Sequence, residues 1–233
     1  MFFRIFTLFP EVFEKYLGVS VLKRALDKKI IRVKTYNIRD FANDKHKTTD
    51  DSPYGGGAGM VMKAEPILKA VFKELKNKPS ARKIKIAILS AKGKQFNQKI
   101  AYLWAKKYDE VFLICGRYEG IDERVKSALK AEEISIGPYV LTDGDVGAMA
   151  LISSVARLVP GVIKMESLQE ESHWNVLLKK EKNIKTGLAL EYPHYTRPEV
   201  FEFNAKKYPV PKILLSGDHK KIKKWRETRS KIK

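Results

Sequence analysis

Apolar residues along this chain fall into short blocks that switch between two periods. Residues 2–9 (FFRIFTLF) form a continuous apolar run closed by Pro10, as a buried strand would. Residues 11–28 then set Val12, Phe13, Tyr16, Leu17, Val21, Leu22, Ala25 and Leu26 near helical spacing, with Gly18 in the middle. Residues 30–38 (IIRVKTYNI) alternate and are rich in β-branched side chains. The stretch 39–64 has no period and holds a glycine cluster. Residues 65–77 put Ile67, Leu68, Val71, Phe72 and Leu75 on one helical face. The pattern continues with a strand at 84–90, a helix at 95–107, a short strand at 111–115 (VFLIC), a helix at 122–131, a brief strand at 134–136 and an apolar helix at 146–159.

Strands alternating with helices as far as about residue 160 predict an α/β domain, a parallel sheet with helices on both faces. Such sheets bind ligands at the loops beyond the carboxyl ends of their strands. The segment 161–190 is polar and without a period, so it reads as a linker. Residues 191–233 open with turn formers and end in a basic helix at about 218–229, predicting a small, mainly helical C-terminal domain. The expected organisation is therefore 1–160, 161–190 and 191–233, with no internal repeat.

Charge changes this picture. Among 233 residues, 46 lysines and arginines face 27 acids, a net charge of +19. An excess of that size points to a polyanionic partner such as a nucleic acid, because each neutralised phosphate releases counterions. A lysine-rich surface laced with ion pairs is the alternative. Residues 220–233 carry eight basic side chains and one acid. Cys115 is the single cysteine, which excludes an intrachain disulfide and fits a reducing cytosol. No apolar run reaches the roughly 18 residues of a membrane span.

Five segments are candidates for chemistry. The run 54–60 (YGGGAGM) has four glycines in five positions, which suits close backbone approach or a plain flexible turn. It lacks the lysine of a P-loop. The run 115–124 (CGRYEGIDER) sits between a strand and a helix, at the crest where an α/β sheet holds its ligand. There Glu119 can bond a ribose hydroxyl or an amine. The run 135–145 (SIGPYVLTDGD) is a glycine-and-apolar loop, with Ile136 and Leu141 as walls for a flat ring. Arg157, with Glu166, Glu170 and Glu171 of the linker, offers a cation and a base. Residues 194–198 (HYTRP) combine aromatics with an arginine, suited to stacking on an unpaired base. The histidines show no metal-ligand spacing.

Taken in order, YGGGAGM, CGRYEGIDERV, SIGPYVLTDGD, SSVARLVPGV, PHYTRPEV, LLSGDH and KKWR resemble the bacterial tRNA (guanine-N1)-methyltransferase family over nearly the whole chain. That family modifies the guanine just 3′ of the anticodon. The resemblance implies the SPOUT fold, whose deep trefoil knot is an exception to ordinary topology. It implies S-adenosylmethionine as cofactor, a cytoplasmic homodimer, and an active site shared between the knot of one subunit and the linker and C-terminal domain of the other. It assigns the cofactor to Leu89 and Ser90, to Gly116, Tyr118, Glu119 and Gly120, and to Ile136, Gly137, Pro138, Tyr139, Val140 and Leu141 with Gly144. It assigns Arg157 to the guanine oxygen, and Asp50, Tyr54, His194 and Arg197 to tRNA. The family's dependence on magnesium implies Mg2+, for which no ligand cluster stands out.

The chain departs from the family pattern at four places. The aspartate of the family's Asp-Ser pair, its general base, becomes Glu171 before Ser172, with Glu170 as the rival. Residues 173–186 look inserted. Pro138 and Asp143 stand where acidic and glycine residues are usual. The chain ends soon after Trp225-Arg226, which implies a smaller contact area with tRNA.

Overall fold

In this computed structural model the described residues are 1–76, 78–79, 81–164, 167–168 and 192–229. The first apolar run becomes β1 (Phe2–Thr7), and its neighbours show why it is apolar throughout. It lies inside a five-stranded sheet of order β2-β1-β6-β5-β7, in which every pairing is parallel. The other strands are β2 (Arg32–Asn37), β5 (Ile84–Gln95), β6 (Glu110–Cys115) and β7 (Glu132–Ser135). All six residues of β6, between β1 and β5, are buried. A strand covered on both faces needs side chains of both parities to be apolar.

The two parities build two cores. Phe3, Ile5, Val111, Leu113, Ala87 and Leu89 pack on one face with Phe13, Trp104, Leu151, Ile152 and Val155. These last come from α1 (Val12–Leu17), α4 (Gln98–Lys107) and α6 (Gly144–Ala156). Phe6, Phe112, Ile114 and Ile88 pack on the other face with Ile67, Ala70 and Val71 of α3 (Ala64–Leu75) and Val125 and Leu129 of α5 (Glu123–Leu129). The expected parallel sheet with helices on both faces is what the chain forms.

Three local boundaries differ from the periodicity. The single helix expected at 11–28 is two, α1 and α2 (Ser20–Asp27), because the chain turns at Gly18 and Ser20 has φ +55°. The loop-like 39–64 contains a short 3-10 turn (Ile38–Phe41) and a two-stranded ladder, β3 (Asp50–Asp51) with β4 (Val61–Met62). The strand expected to stop at residue 90 runs on to Gln95. Its pairing to β7 breaks between Leu89 and Lys94, both of which oppose Ile134, so residues 90–93 bow out of the ladder.

The amino end of the sheet carries a buried ionic knot of side chains. Glu110 is fully buried and accepts from Arg4 at 2.7 Å, from Lys78 at 2.8 Å and from Arg82. Burial alone would raise its carboxyl, but the hydrogen bonds from Lys78, Arg4 and Arg82 outweigh that and bring it to about 2 from the ordinary 4.5. A depressed carboxylate stabilises the fold above its unfolded pKa and loses that contribution as pH falls through the folded one. Glu110 therefore supports the fold above about pH 4.5 and ceases to do so toward pH 2. Glu110→Gln leaves three cations facing a neutral group. It is expected to cost on the order of 3 kcal/mol at pH 7, read by denaturant unfolding, with the deficit shrinking below pH 4.

The chain divides into two compact units, Met1–Met165 and Glu166–Lys233. The second holds a hairpin of β8 (Val200–Phe203) and β9 (Lys206–Pro209), then α7 (Lys212–Leu215) and α8 (His219–Arg229). The basic helix lies where its composition placed it. The hairpin is an addition that the turn-rich sequence concealed. No helix among the described residues is long and apolar enough to cross a membrane.

Candidate active site

Because β5, β6 and β7 are parallel neighbours, their carboxyl ends deliver three loops to one place. The loops are the bowed segment 90–93, residues 116–122 after β6, and residues 136–143 after β7. Between them lies a cavity of about 400 Å3, within the size range of small-molecule sites. Leu89, Ile134, Ile136, Leu141 and Gly147 give it an apolar wall, while Ser90, Tyr118, Glu119 and Asp122 give it polar edges.

The loops are fixed to one another by backbone. Gly144, the first residue of α6, donates to the Gly116 carbonyl at 2.8 Å. Its α-carbon sits so close that a Cβ there would lie 2.7 Å from the Gly116 nitrogen and 2.9 Å from the Cys115 α-carbon. Only glycine permits that approach. On the far side, Glu119 donates its N–H to Met60 and Met62 donates to Gly120, at 3.0 and 2.9 Å. The glycine-rich run therefore ends by bracing the 116–122 loop. Tyr118 takes φ +57° to make the turn.

A charged latch holds the two principal loops. Arg117 donates to Asp145 at 2.7 Å, stands 3.7 Å from Asp143, and lies over the Phe9 ring at 4.4 Å. Asp145 is buried and also accepts from Thr7 at 2.6 Å. Asp143 caps α6 by accepting from the Asp145 and Val146 N–H groups. Sequence reasoning missed Arg117, Asp145 and Thr7 as site builders. The arginine and aspartate stood in motifs already singled out, whereas nothing marked Thr7. Cys115 is buried beside Asp145, and burial, then that carboxylate, pushes its thiol well up. It is a neutral core side chain and no nucleophile.

Most carboxylates on the cavity wall are paired: Asp122 with Arg124, Asp143 with Arg117, and Glu123 and Glu133 with Lys92 and Lys126. Among the described residues Glu119 alone has no ion pair there. The wall thus offers one uncommitted anion, flat apolar surfaces and a backbone held close to the space.

This arrangement sits in a chain that matches, over residues 1–233, the family described as tRNA (Guanine-1)-methyltransferase TrmD. It is 51% identical over 224 residues to the tRNA (guanine-N(1)-)-methyltransferase of Dictyoglomus turgidum, covering 95% of this chain and 82% of that one. It is 48% identical over 230 residues to the enzyme of that name from Clostridioides difficile, covering 99% and 92%. With that from Caldicellulosiruptor saccharolyticus the identity is 47% over 233 residues, covering 100% and 86%. The chain belongs to this family.

Set against the family, the expected site residues separate into groups. Leu89, Ser90, Gly116, Tyr118, Glu119, Gly120, Ile136, Tyr139, Val140, Leu141 and Gly144 all line the cavity. Gly137 and Pro138 belong to the same loop but not to its wall, and Ser135 holds that loop by donating to the Gly137 carbonyl at 2.8 Å. Arg157 is elsewhere. It is half-buried at the carboxyl end of α6, about 20 Å along the helix axis from Gly144 at 1.5 Å per residue. Asp50 lies in β3, and Tyr54 is fully exposed beside the glycine run. In the second unit His194 and Arg197 are exposed, with the His194 ring 4.6 Å from Tyr192. Glu170 and Glu171 lie outside the described residues. Among the described residues no set of three or more histidine, cysteine or acidic side chains is gathered to hold a metal.

Proposed function

We propose that this chain transfers the methyl group of S-adenosylmethionine to N1 of the guanine immediately 3′ of a tRNA anticodon, the modification that helps hold the reading frame. The observation that carries this is the three-loop cavity in a chain of the tRNA (guanine-1)-methyltransferase family. Domain roles follow: 1–160 as the cofactor-binding body with the SPOUT trefoil knot, 161–190 as the linker bearing the base, and 191–233 as a small tRNA-binding domain. The site of action is the cytoplasm.

The cavity suits the cofactor. The apolar wall of Leu89, Ile136 and Leu141 takes a flat ring, the close backbone at Gly116 and Gly144 offers peptide groups, and the unpaired Glu119 takes a hydroxyl or ammonium. When bound, S-adenosylmethionine supplies an electrophilic methyl on a sulfonium centre. Guanine N1 carries a proton that must leave as the N1–methyl bond forms. Glu171 takes that proton, with Glu170 as the alternative. Arg157 faces O6, where negative charge grows, and a cation placed there favours the transition state over the ground state. The base leaves its stack to reach the methyl.

Arg157 stands about 15 Å along α6 from Gly147, the cavity residue nearest to it on that helix, farther than an arginine side chain reaches. A second copy of the chain brings its Arg157 to the first copy's cavity, so the working form is a homodimer with an isologous interface. A mixed-dimer experiment checks this. Arg157→Ala and Gly144→Val are each expected to be inactive alone. Combined at equal amounts they should recover about a quarter of wild-type turnover, since half the dimers carry one complete site. No recovery would place both residues in one protomer's site. Digestion of the product is expected to yield 1-methylguanosine; any other methylated nucleoside would overturn the proposed reaction.

A further inference from the structure

The second unit presents a feature that the methyl-transfer site does not use. The register of the hairpin pairs Phe201 with Tyr208 and Phe203 with Lys206. Directly opposed residues, and residues two apart on a strand, share a face. Phe201, Phe203, Tyr208 and Lys206 therefore stand together on one side of the two strands. Their exposures are 54% for Phe201, 58% for Phe203 and 47% for Tyr208. The Phe201 and Phe203 rings are stacked at 6.2 Å with 10° between planes, and Phe201 lies 6.3 Å from Tyr208. The Lys206 ammonium sits 5.5 Å from the Tyr208 ring centre. Every residue of the two strands is exposed, so the rings support little core of their own. A two-stranded hairpin is marginal in water, and three half-open rings on it call for a partner.

The charges around the rings decide which partner. Residues 192–229 hold ten lysines and arginines against four acids. Lys206 is on the face itself, Lys207 is adjacent, and α8 adds Lys220, Lys221, Lys223 and Lys224 to the same unit. The cores of protein–protein contacts are depleted in lysine. Flat rings interleaved with lysines are what single-stranded nucleic acid uses, the rings taking base faces and the ammonium groups taking phosphates.

We propose that the Phe201–Phe203–Tyr208 face is a stacking platform for unpaired nucleotides of the substrate RNA, distinct from the pocket that receives the methylated guanine. This rests on tRNA being the substrate. The platform gives affinity with little base preference, because every base offers a π-face.

The test uses the full-length protein with two triple variants at positions 201, 203 and 208, one all alanine and one all leucine. Leucine keeps the apolar area and removes stacking. Both variants are expected to raise the KM for tRNA about tenfold or more, with kcat at saturating tRNA and the KM for S-adenosylmethionine unchanged. Both should also lose about tenfold in affinity for a short single-stranded RNA, with affinity for an RNA duplex unchanged. A leucine variant equal to wild type in both assays would overturn the proposal. A changed sedimentation coefficient with an unchanged KM would overturn it too, and would assign the face to a second copy. The single-stranded RNA assay needs no methyl transfer, so it can fail or succeed independently of the tRNA assignment.

Discussion

Glu171→Gln is expected to lower the rate of methyl transfer by about 10²- to 10⁴-fold, the usual contribution of a positioned general base. The substitution keeps the shape of the side chain and removes its ability to take a proton. Guanine N1 is a poor nucleophile while protonated, so the loss should fall on kcat. Affinity for S-adenosylmethionine should hold within about twofold, because the described walls of the cavity come from residues 88–147. Single-turnover kinetics with saturating cofactor, beside calorimetric binding of the same cofactor, separates the two. A variant as active as wild type would remove Glu171 from the mechanism, and Glu170→Gln would then show the loss instead.

Gly144→Val is expected to abolish cofactor binding, by more than about 100-fold, with a loss of about 1–3 kcal/mol in stability from overpacking. The reason is the closeness of three strand ends. A Cβ on residue 144 would stand 2.7 Å from the Gly116 nitrogen, 2.9 Å from the Cys115 α-carbon and 3.0 Å from the Leu89 Cβ. Two of those are backbone atoms and cannot swing away. The start of α6 must move off the 116–122 loop, breaking the 2.8 Å hydrogen bond to Gly116 and opening the latch of Arg117 on Asp143 and Asp145. Calorimetric titration measures the affinity, and thermal unfolding shows that the fold persists. Wild-type affinity in this variant would remove the three-loop cavity as the cofactor site.

Much of this was legible in the chain because it is local. The parity of FFRIFTLF and VFLIC, apolar on both faces, follows from strands buried in the middle of a parallel sheet. The loop at 116–120 was placed by following a strand end and the loop at 136–144 by its glycine-and-apolar composition and the family resemblance, and the sheet order brings them together. What escaped was set by distant partners. The continuation of β5 past Ser90 depends on β7, some 40 residues onward, to which residues 94 and 95 return. The latch joins Thr7 to Asp145 across 138 positions, and no spacing rule links them. The hairpin at 200–209 was hidden because its strands alternate aromatic and charged side chains without a buried face. The break between α1 and α2 was signalled by Gly18 but needed the φ +55° at Ser20 to become two helices. Arg157 was noted as a cation, and the apolar helix expected at 146–159 already set it at the far end of a helix from the 135–145 loop.

The most direct test of the central claim is methyl incorporation from labelled S-adenosylmethionine into two tRNA transcripts that differ only in guanine or adenine immediately 3′ of the anticodon. The account predicts incorporation with guanine and none with adenine, since adenine N1 has no proton for Glu171 to take and no oxygen for Arg157 to face. Equal incorporation into both, or incorporation into neither by protein that binds the cofactor, would contradict it.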